Sequence, residues 1–179
     1  MKPVIPNLLT FSRFACVPLL LIVWYAVPDI TWLPLVLMVY ACVTDFFDGY
    51  LARRWKAQSE LGRMLDPNAD KLLIATALAL LTANGLAHPA AVALILCREL
   101  FISALREFMA DRNVTVHVTQ LAKWKTTVQM TAILILLAVP VLPEWPLAVI
   151  GDRMLWLATA LTLITGWNYW TGAKRHFQS

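Results

Sequence analysis

Four aspartates stand in or beside apolar runs of the chain: Asp45, Asp48, Asp66 and Asp70. Ionised groups at membrane depth are costly and mark function. Asp45 and Asp48 are spaced i, i+3, and Asp66 and Asp70 are spaced i, i+4, so on helices each pair projects from one face. At about 100° per residue, Asp45, Asp48, Gly49 and Ala52 share one stripe. Gly62, Asp66, Ala69 and Asp70 share another. Beyond the carboxylates these stripes carry only hydrogens and methyls, which lets a ligand come close to the backbone. Two such stripes facing each other gather four carboxylates, which repel unless cations neutralise them. All-oxygen donors suit a hard divalent ion such as Mg²⁺ or Mn²⁺. Four carboxylates suffice for two ions, the arrangement that clamps a phosphoryl group during displacement. A plainer reading has the aspartates capping helix ends or pairing with Arg53, Arg54 and Arg63. The joint spacing of four carboxylates with Gly and Ala weighs against it.

A second set of charges is basic. Arg98, Glu99, Ser103, Arg106 and Glu107 fall in one apolar run, and Lys123 and Lys125 open the next. Arg98 and Arg106 lie about two turns apart and face within roughly 80° of each other. Snorkelling, or pairing with Glu99 and Glu107, accounts for cations near a run's end but poorly for Arg98, which sits almost in the middle. A buried arginine there calls for an anion, and its fork matches phosphate oxygens, with lysines adding point charge. Lys123 and Lys125 are two apart, so a regular helix does not aim both at one ligand. Asn7, Thr10 and Arg13 precede the first long apolar run. By themselves they read as a polar entry to it.

The elements that must hold these residues are membrane helices. Apolar residues make up 60% of the 179, against about half in a soluble domain. Apolar runs near the length of a bilayer crossing fall at about 11–27, 32–53, 64–83, 89–109, 122–139 and 147–171. The chain therefore reads as all-α, a polytopic membrane protein with six transmembrane helices and a short N-terminal interfacial segment over 1–13. Residues 1–179 form a single domain in this reading, and no cleavable leader is evident. Cys16, Cys42 and Cys97 lie far apart inside apolar runs and read as side chains that fill space, not as metal ligands. His88, His117 and His176 are isolated.

Six spans put both termini on one side. Lys2, Arg53, Arg54, Lys56, Arg63, Arg112, Lys123, Lys125, Lys174 and Arg175 then share that side, while the opposite loops offer Asp29, His88 and Glu144. The positive-inside rule places the basic side, and the aspartate stripes with it, in the cytoplasm. Trp55 and Trp124 lie near that boundary, and Trp24, Trp32 and Trp145 near the other. The net charge of +4 is largely this topology signal and suits anionic lipid headgroups, so it calls for no nucleic acid.

At the aspartates the chain resembles a known family. The pattern D-x-x-D-G-x-x-A-R, eight residues, G-x-x-x-D-x-x-x-D is that of the CDP-alcohol phosphatidyltransferases. It is met here by Asp45, Asp48, Gly49, Ala52, Arg53, Gly62, Asp66 and Asp70. The text around it, Leu51 to Trp55 and Leu65 to Lys71, is similar to the members that use glycerol 3-phosphate, as are Arg98 to Glu107 and Lys123 to Thr126. The resemblance implies transfer of a phosphatidyl group from CDP-diacylglycerol to sn-glycerol 3-phosphate at the inner (cytoplasmic) cell membrane, with release of CMP. It implies two divalent cations, Mg²⁺ or Mn²⁺, on Asp45, Asp48, Asp66 and Asp70, with Asp70 also the base. It implies contact with CDP-diacylglycerol from Asn7, Thr10, Arg13, Gly49, Ala52, Arg53 and Gly62. Arg98, Arg106, Lys123 and Lys125 would hold the acceptor phosphate. Membrane lipids and a homodimer partner belong to the same implication.

Rival readings differ in acceptor or in class. An unphosphorylated acceptor such as serine leaves the basic cluster without a purpose, whereas inositol phosphate is set aside only by the flanking text. A divalent-cation transporter uses intramembrane aspartates but has no need of the Gly/Ala stripes. A catalytically silent scaffold has no need of four aspartates.

Overall fold

In a computed structural model the chain forms six α-helices: α1 (Val4–Ala26), α2 (Leu33–Trp55), α3 (Glu60–Ala83), α4 (Pro89–Asp111), α5 (Gln120–Ala138) and α6 (Leu147–Lys174). The structure describes the backbone of residues 4–55, 60–112 and 120–174, and the side chains of 11–45, 47, 68–110, 112 and 124–174. No strand occurs among the described residues. The shortest helix, α5 with 19 residues, is about 28 Å long at about 1.5 Å per residue, close to the roughly 30 Å of a bilayer's hydrocarbon core. Among the described residues only α6 is both long and apolar enough to cross a membrane by composition alone. The others carry charged residues within or beside their apolar stretches.

The helix boundaries follow local chemistry. Residues 4–10, expected as a separate interfacial segment, are the first turns of α1. Pro6 lies in its first turn, where no intrahelical bond needs a backbone N–H. The third helix reaches back to Glu60, through polar residues that a search for apolar runs passes over. After it comes Gly85 at φ +70°, a left-handed conformation that glycine adopts without strain, and its N–H bonds to the Thr82 carbonyl at 3.1 Å. His88 caps α4: its Nδ1 accepts from the Ala90 N–H at 3.2 Å, and Pro89 takes the first helical position. Pro140, Pro143 and Pro146 occupy the connection between α5 and α6.

The chain divides into two compact units, Met1–Leu81 with Leu137–Trp145, and Thr82–Leu136 with Pro146–Ser179. In the first unit α1 buries Arg13, Cys16, Leu20 and Val23, and α2 buries Pro34, Met38, Ala41 and Thr44. Each set recurs at three- and four-residue steps and so forms one helix face. In the second unit α4 buries Ala91, Ile95, Ile102, Leu105 and Met109, at steps of three, four and seven that keep to one face, and α6 buries Leu155, Ala158, Thr159, Thr162 and Thr165.

The exposed faces are apolar. Tyr25, Leu100 and Trp167 are each about 70% exposed, while Arg13, Lys125, Gln129 and Thr162 are buried. A water-soluble domain has no means to hold that inversion, since it leaves large apolar surface in water. In lipid the exposed faces are solvated by acyl chains and the polar groups find partners inside, which makes this a membrane protein.

Candidate active site

In the first unit α1 carries Arg13 on its buried face, with a side chain that is fully enclosed. Its Nη1 donates to Asp45 Oδ1 of α2 at 2.8 Å and to Asp70 Oδ1 of α3 at 2.6 Å. One guanidinium nitrogen thus joins three helices and gathers one carboxylate from each aspartate stripe. The residue before Asp45 is kept small and quiet: Thr44 turns its hydroxyl back to the carbonyls of Tyr40 and Ala41, both at 2.9 Å. Tyr40 adds a second link between α1 and α2, donating to Ser12 Oγ at 3.2 Å. The Asp45 side chain is 54% exposed and that of Asp70 37%, so both carboxylates present surface beyond the Arg13 contact.

Asp48, Gly49, Ala52, Arg53, Gly62 and Asp66 lie on the backbone of α2 and α3, and Asn7 and Thr10 on that of α1; their side chains lie outside the described residues. Among the described residues no three His, Cys, Asp or Glu side chains form a metal cluster. The donors nevertheless fit a divalent cation. They are carboxylate oxygens throughout, the donors a hard divalent ion takes, and the two that are described meet at a single positive group. The two described members of the candidate ligand set, Asp45 and Asp70, are brought together.

In the second unit the basic residues gather around Glu99 on α4. Its Oε1 accepts from Arg98 Nη1 at 3.2 Å and also from Lys125 Nζ of α5. Arg98 Nη2 donates to Thr165 Oγ1 of α6 at 3.0 Å. The Arg98 side chain is only 10% exposed and that of Lys125 8%. Among the described residues two nearly enclosed cations therefore share one carboxylate, and one positive charge is left over. The surroundings raise the cost of that excess: Arg98 borders an apolar groove of about 720 Å³ between α4 and α6, lined by Leu94, Phe101, Ile164 and Trp167. Arg106 is exposed, with its guanidinium 5.3 Å from the centre of the Tyr169 ring. Ile102, Leu105, Met109 and Ala173 form a buried cluster beside Tyr169 and Trp170. Lys123 lies on the α5 backbone with its side chain outside the described residues.

Sequence reasoning anticipated Glu99 only as one possible partner of the basic residues, and it missed Thr165. The signal was present. Thr159, Thr162 and Thr165 recur at every third position of an otherwise apolar helix, ahead of Gly166, and such a small polar stripe marks a face that meets another helix.

A family model described as CDP-alcohol phosphatidyltransferase matches residues 3–164. A protein of Rickettsia bellii named CDP-diacylglycerol--glycerol-3-phosphate 3-phosphatidyltransferase is 41% identical, the match covering 97% of each chain. Proteins of the same name from Pectobacterium atrosepticum and Cereibacter sphaeroides are 40% and 38% identical, over 95% and 94% of this chain and 94% and 95% of theirs.

Proposed function

The chain belongs to the CDP-alcohol phosphatidyltransferase family, and from that premise we propose that it transfers the phosphatidyl group of CDP-diacylglycerol to sn-glycerol 3-phosphate. The products are phosphatidylglycerol phosphate and CMP. The observation that carries the chemistry is the meeting of Asp45 and Asp70, from two helices, at one cationic nitrogen. The choice of acceptor rests on the names of the relatives, each matched over nearly its whole length.

The family works with divalent cations; here two, Mg²⁺ or Mn²⁺, would be held by Asp45, Asp48, Asp66 and Asp70. Bound, they neutralise the donor's diphosphate and the charge that grows on departing CMP. The residues of the chain do the rest. Asn7, Thr10, Arg13, Gly49, Ala52, Arg53 and Gly62 are assigned to CDP-diacylglycerol, the small ones because they let a diphosphate approach the backbone. Asp70 accepts the proton of the acceptor hydroxyl. The hydroxyl oxygen bonds to the phosphorus that carries diacylglycerol, and the bond from that phosphorus to the CMP oxygen breaks. Arg98, Arg106, Lys123 and Lys125 bind the acceptor's own phosphate, and the excess charge around Glu99 supports that assignment.

The bilayer explains why such a site belongs at helix ends. The donor's tails stay in lipid, while its cytidine and the acceptor come from water. We place the aspartate ends of the helices in the cytoplasm and the protein in the inner (cytoplasmic) cell membrane, on the distribution of Lys and Arg. The working form is a homodimer of single-domain chains of residues 1–179.

The test is CMP release from CDP-diacylglycerol by the purified chain, offered glycerol 3-phosphate, inositol phosphate, serine and phosphatidylglycerol in turn. Release with glycerol 3-phosphate alone is the expected outcome. Equal or faster release with inositol phosphate moves the chain to another branch of the family, and release with none of the four removes the assignment.

A further inference from the structure

Arg98 sits at the tenth of 23 positions in α4 and is held from three directions. Nη1 meets Glu99 Oε1 at 3.2 Å and Nη2 meets Thr165 Oγ1 at 3.0 Å. Its buried Nε donates to no group among the described residues. Gly166 packs against it: a Cβ built there would stand 3.1 Å from both Arg98 Nε and Cγ. The backbone of α6 therefore presses on the inner edge of the guanidinium, and no ligand can reach it from that side. An arginine has five N–H donors. With Nε covered and one N–H of each terminal nitrogen committed, the two remaining N–H groups belong to Nη1 and Nη2, one on each, and are the donors left for phosphate oxygens.

Thr165 is suited to fix this orientation. Its hydroxyl lies 2.8 Å from the Leu161 carbonyl and 3.0 Å from that of Thr162, so its proton is committed to the α6 backbone. What it turns to Arg98 is a lone pair, an acceptor with no donor mode to compete. A valine of the same shape offers nothing there, whereas a serine repeats the same bonds.

We propose that Thr165 and Gly166 of α6 are positioning residues, which hold the Arg98 fork so that the remaining N–H groups of Nη1 and Nη2 take a phosphate-bearing acceptor. This rests on the assignment of Arg98 to the acceptor phosphate, and the test separates the two. Full-length Arg98→Ala, Thr165→Val, Thr165→Ser and Gly166→Ala proteins are assayed for kcat and for the KM of each substrate, with glycerol as the acceptor lacking phosphate. Thr165→Val raises the KM for glycerol 3-phosphate about five-fold, the scale of one interhelical polar contact. It changes the KM for CDP-diacylglycerol less than about two-fold, and it lowers the preference for glycerol 3-phosphate over glycerol by a similar factor. Thr165→Ser restores wild-type values. Gly166→Ala, whose methyl pushes the Arg98 stem, shows the same selective rise and carries the test if Thr165→Val fails to insert. If Arg98→Ala raises the acceptor KM while Thr165→Val and Gly166→Ala leave it unchanged, the positioning role is overturned. A uniform loss across both KM values and kcat overturns it as well. If Arg98→Ala leaves the acceptor KM unchanged, the assignment of Arg98 itself falls.

Discussion

Replacing Arg13 by methionine tests the account of the first unit without recourse to activity. Methionine fills much of the same volume and carries no charge. In the native protein Asp45 Oδ1 and Asp70 Oδ1 lie 2.8 and 2.6 Å from one nitrogen, so they lie close to each other. Take a separation of about 5 Å and an effective dielectric of about 20, suited to groups that are partly exposed. Two unit negative charges then repel by about 3 kcal/mol. Removing Arg13 exposes that repulsion and also forfeits two charge-assisted hydrogen bonds. For a chain of this length 3 kcal/mol corresponds to a fall of about 6–12 °C in Tm. A divalent cation bound by the same carboxylates cancels the repulsion. Arg13→Met in a chelator therefore unfolds several degrees below wild type, and Mg²⁺ or Mn²⁺ returns most of the difference. The assay is thermal unfolding in detergent or nanodiscs, with chelator and with each cation. An Arg13→Met protein as stable as wild type in chelator, and indifferent to cations, refutes the reasoning.

Three further outcomes are expected. Asp45→Asn, Asp48→Asn and Asp66→Asn each lower phosphatidyl transfer by about a hundred-fold or more in protein that still inserts; excess chelator does the same to wild type, and full turnover in chelator contradicts the metal reading. Asp70→Asn keeps size and one oxygen but cannot take a proton as a carboxylate does; it retains Mn²⁺-dependent donor binding yet loses single-turnover transfer, whereas near-normal transfer at saturating metal leaves Asp70 a ligand only. Gly85→Ala meets no neighbour within 4 Å, so its cost is that of a left-handed backbone alone: about 1 kcal/mol, read as a Tm lower by about 2–4 °C with catalysis intact.

The helices were legible in the sequence because lipid imposes one simple rule. A run long enough to cross must be apolar, and a polar break must fall outside it. Hence α2, α4 and α5 begin within two residues of their expected positions. The rule fails where a helix is polar. Residues 4–10 mix apolar with polar residues and proline, and 60–63 are largely polar, yet both are helical, so neither was counted in an apolar run. Within the site, spacing revealed which aspartates share a face. It had no means of showing that Arg13 would reach from α1 to Asp45 and Asp70, because tertiary pairing over 32 and 57 residues leaves no periodic trace.

What both units share is a buried cation answered by carboxylate, and the difference lies in the balance. Among the described residues Arg13 faces two carboxylates, a negative balance that suits an added cation. Among the same residues Arg98 and Lys125 face one, a positive balance that suits an added anion. Neither imbalance stabilises a protein in a low-dielectric setting, where an unanswered charge costs several kcal/mol. Complete internal pairing would have been the more stable arrangement, and it would also have left nothing for a ligand to complete. The two opposite excesses are those required by the proposed reaction: a diphosphate held through divalent cations, and an acceptor that brings a phosphate of its own.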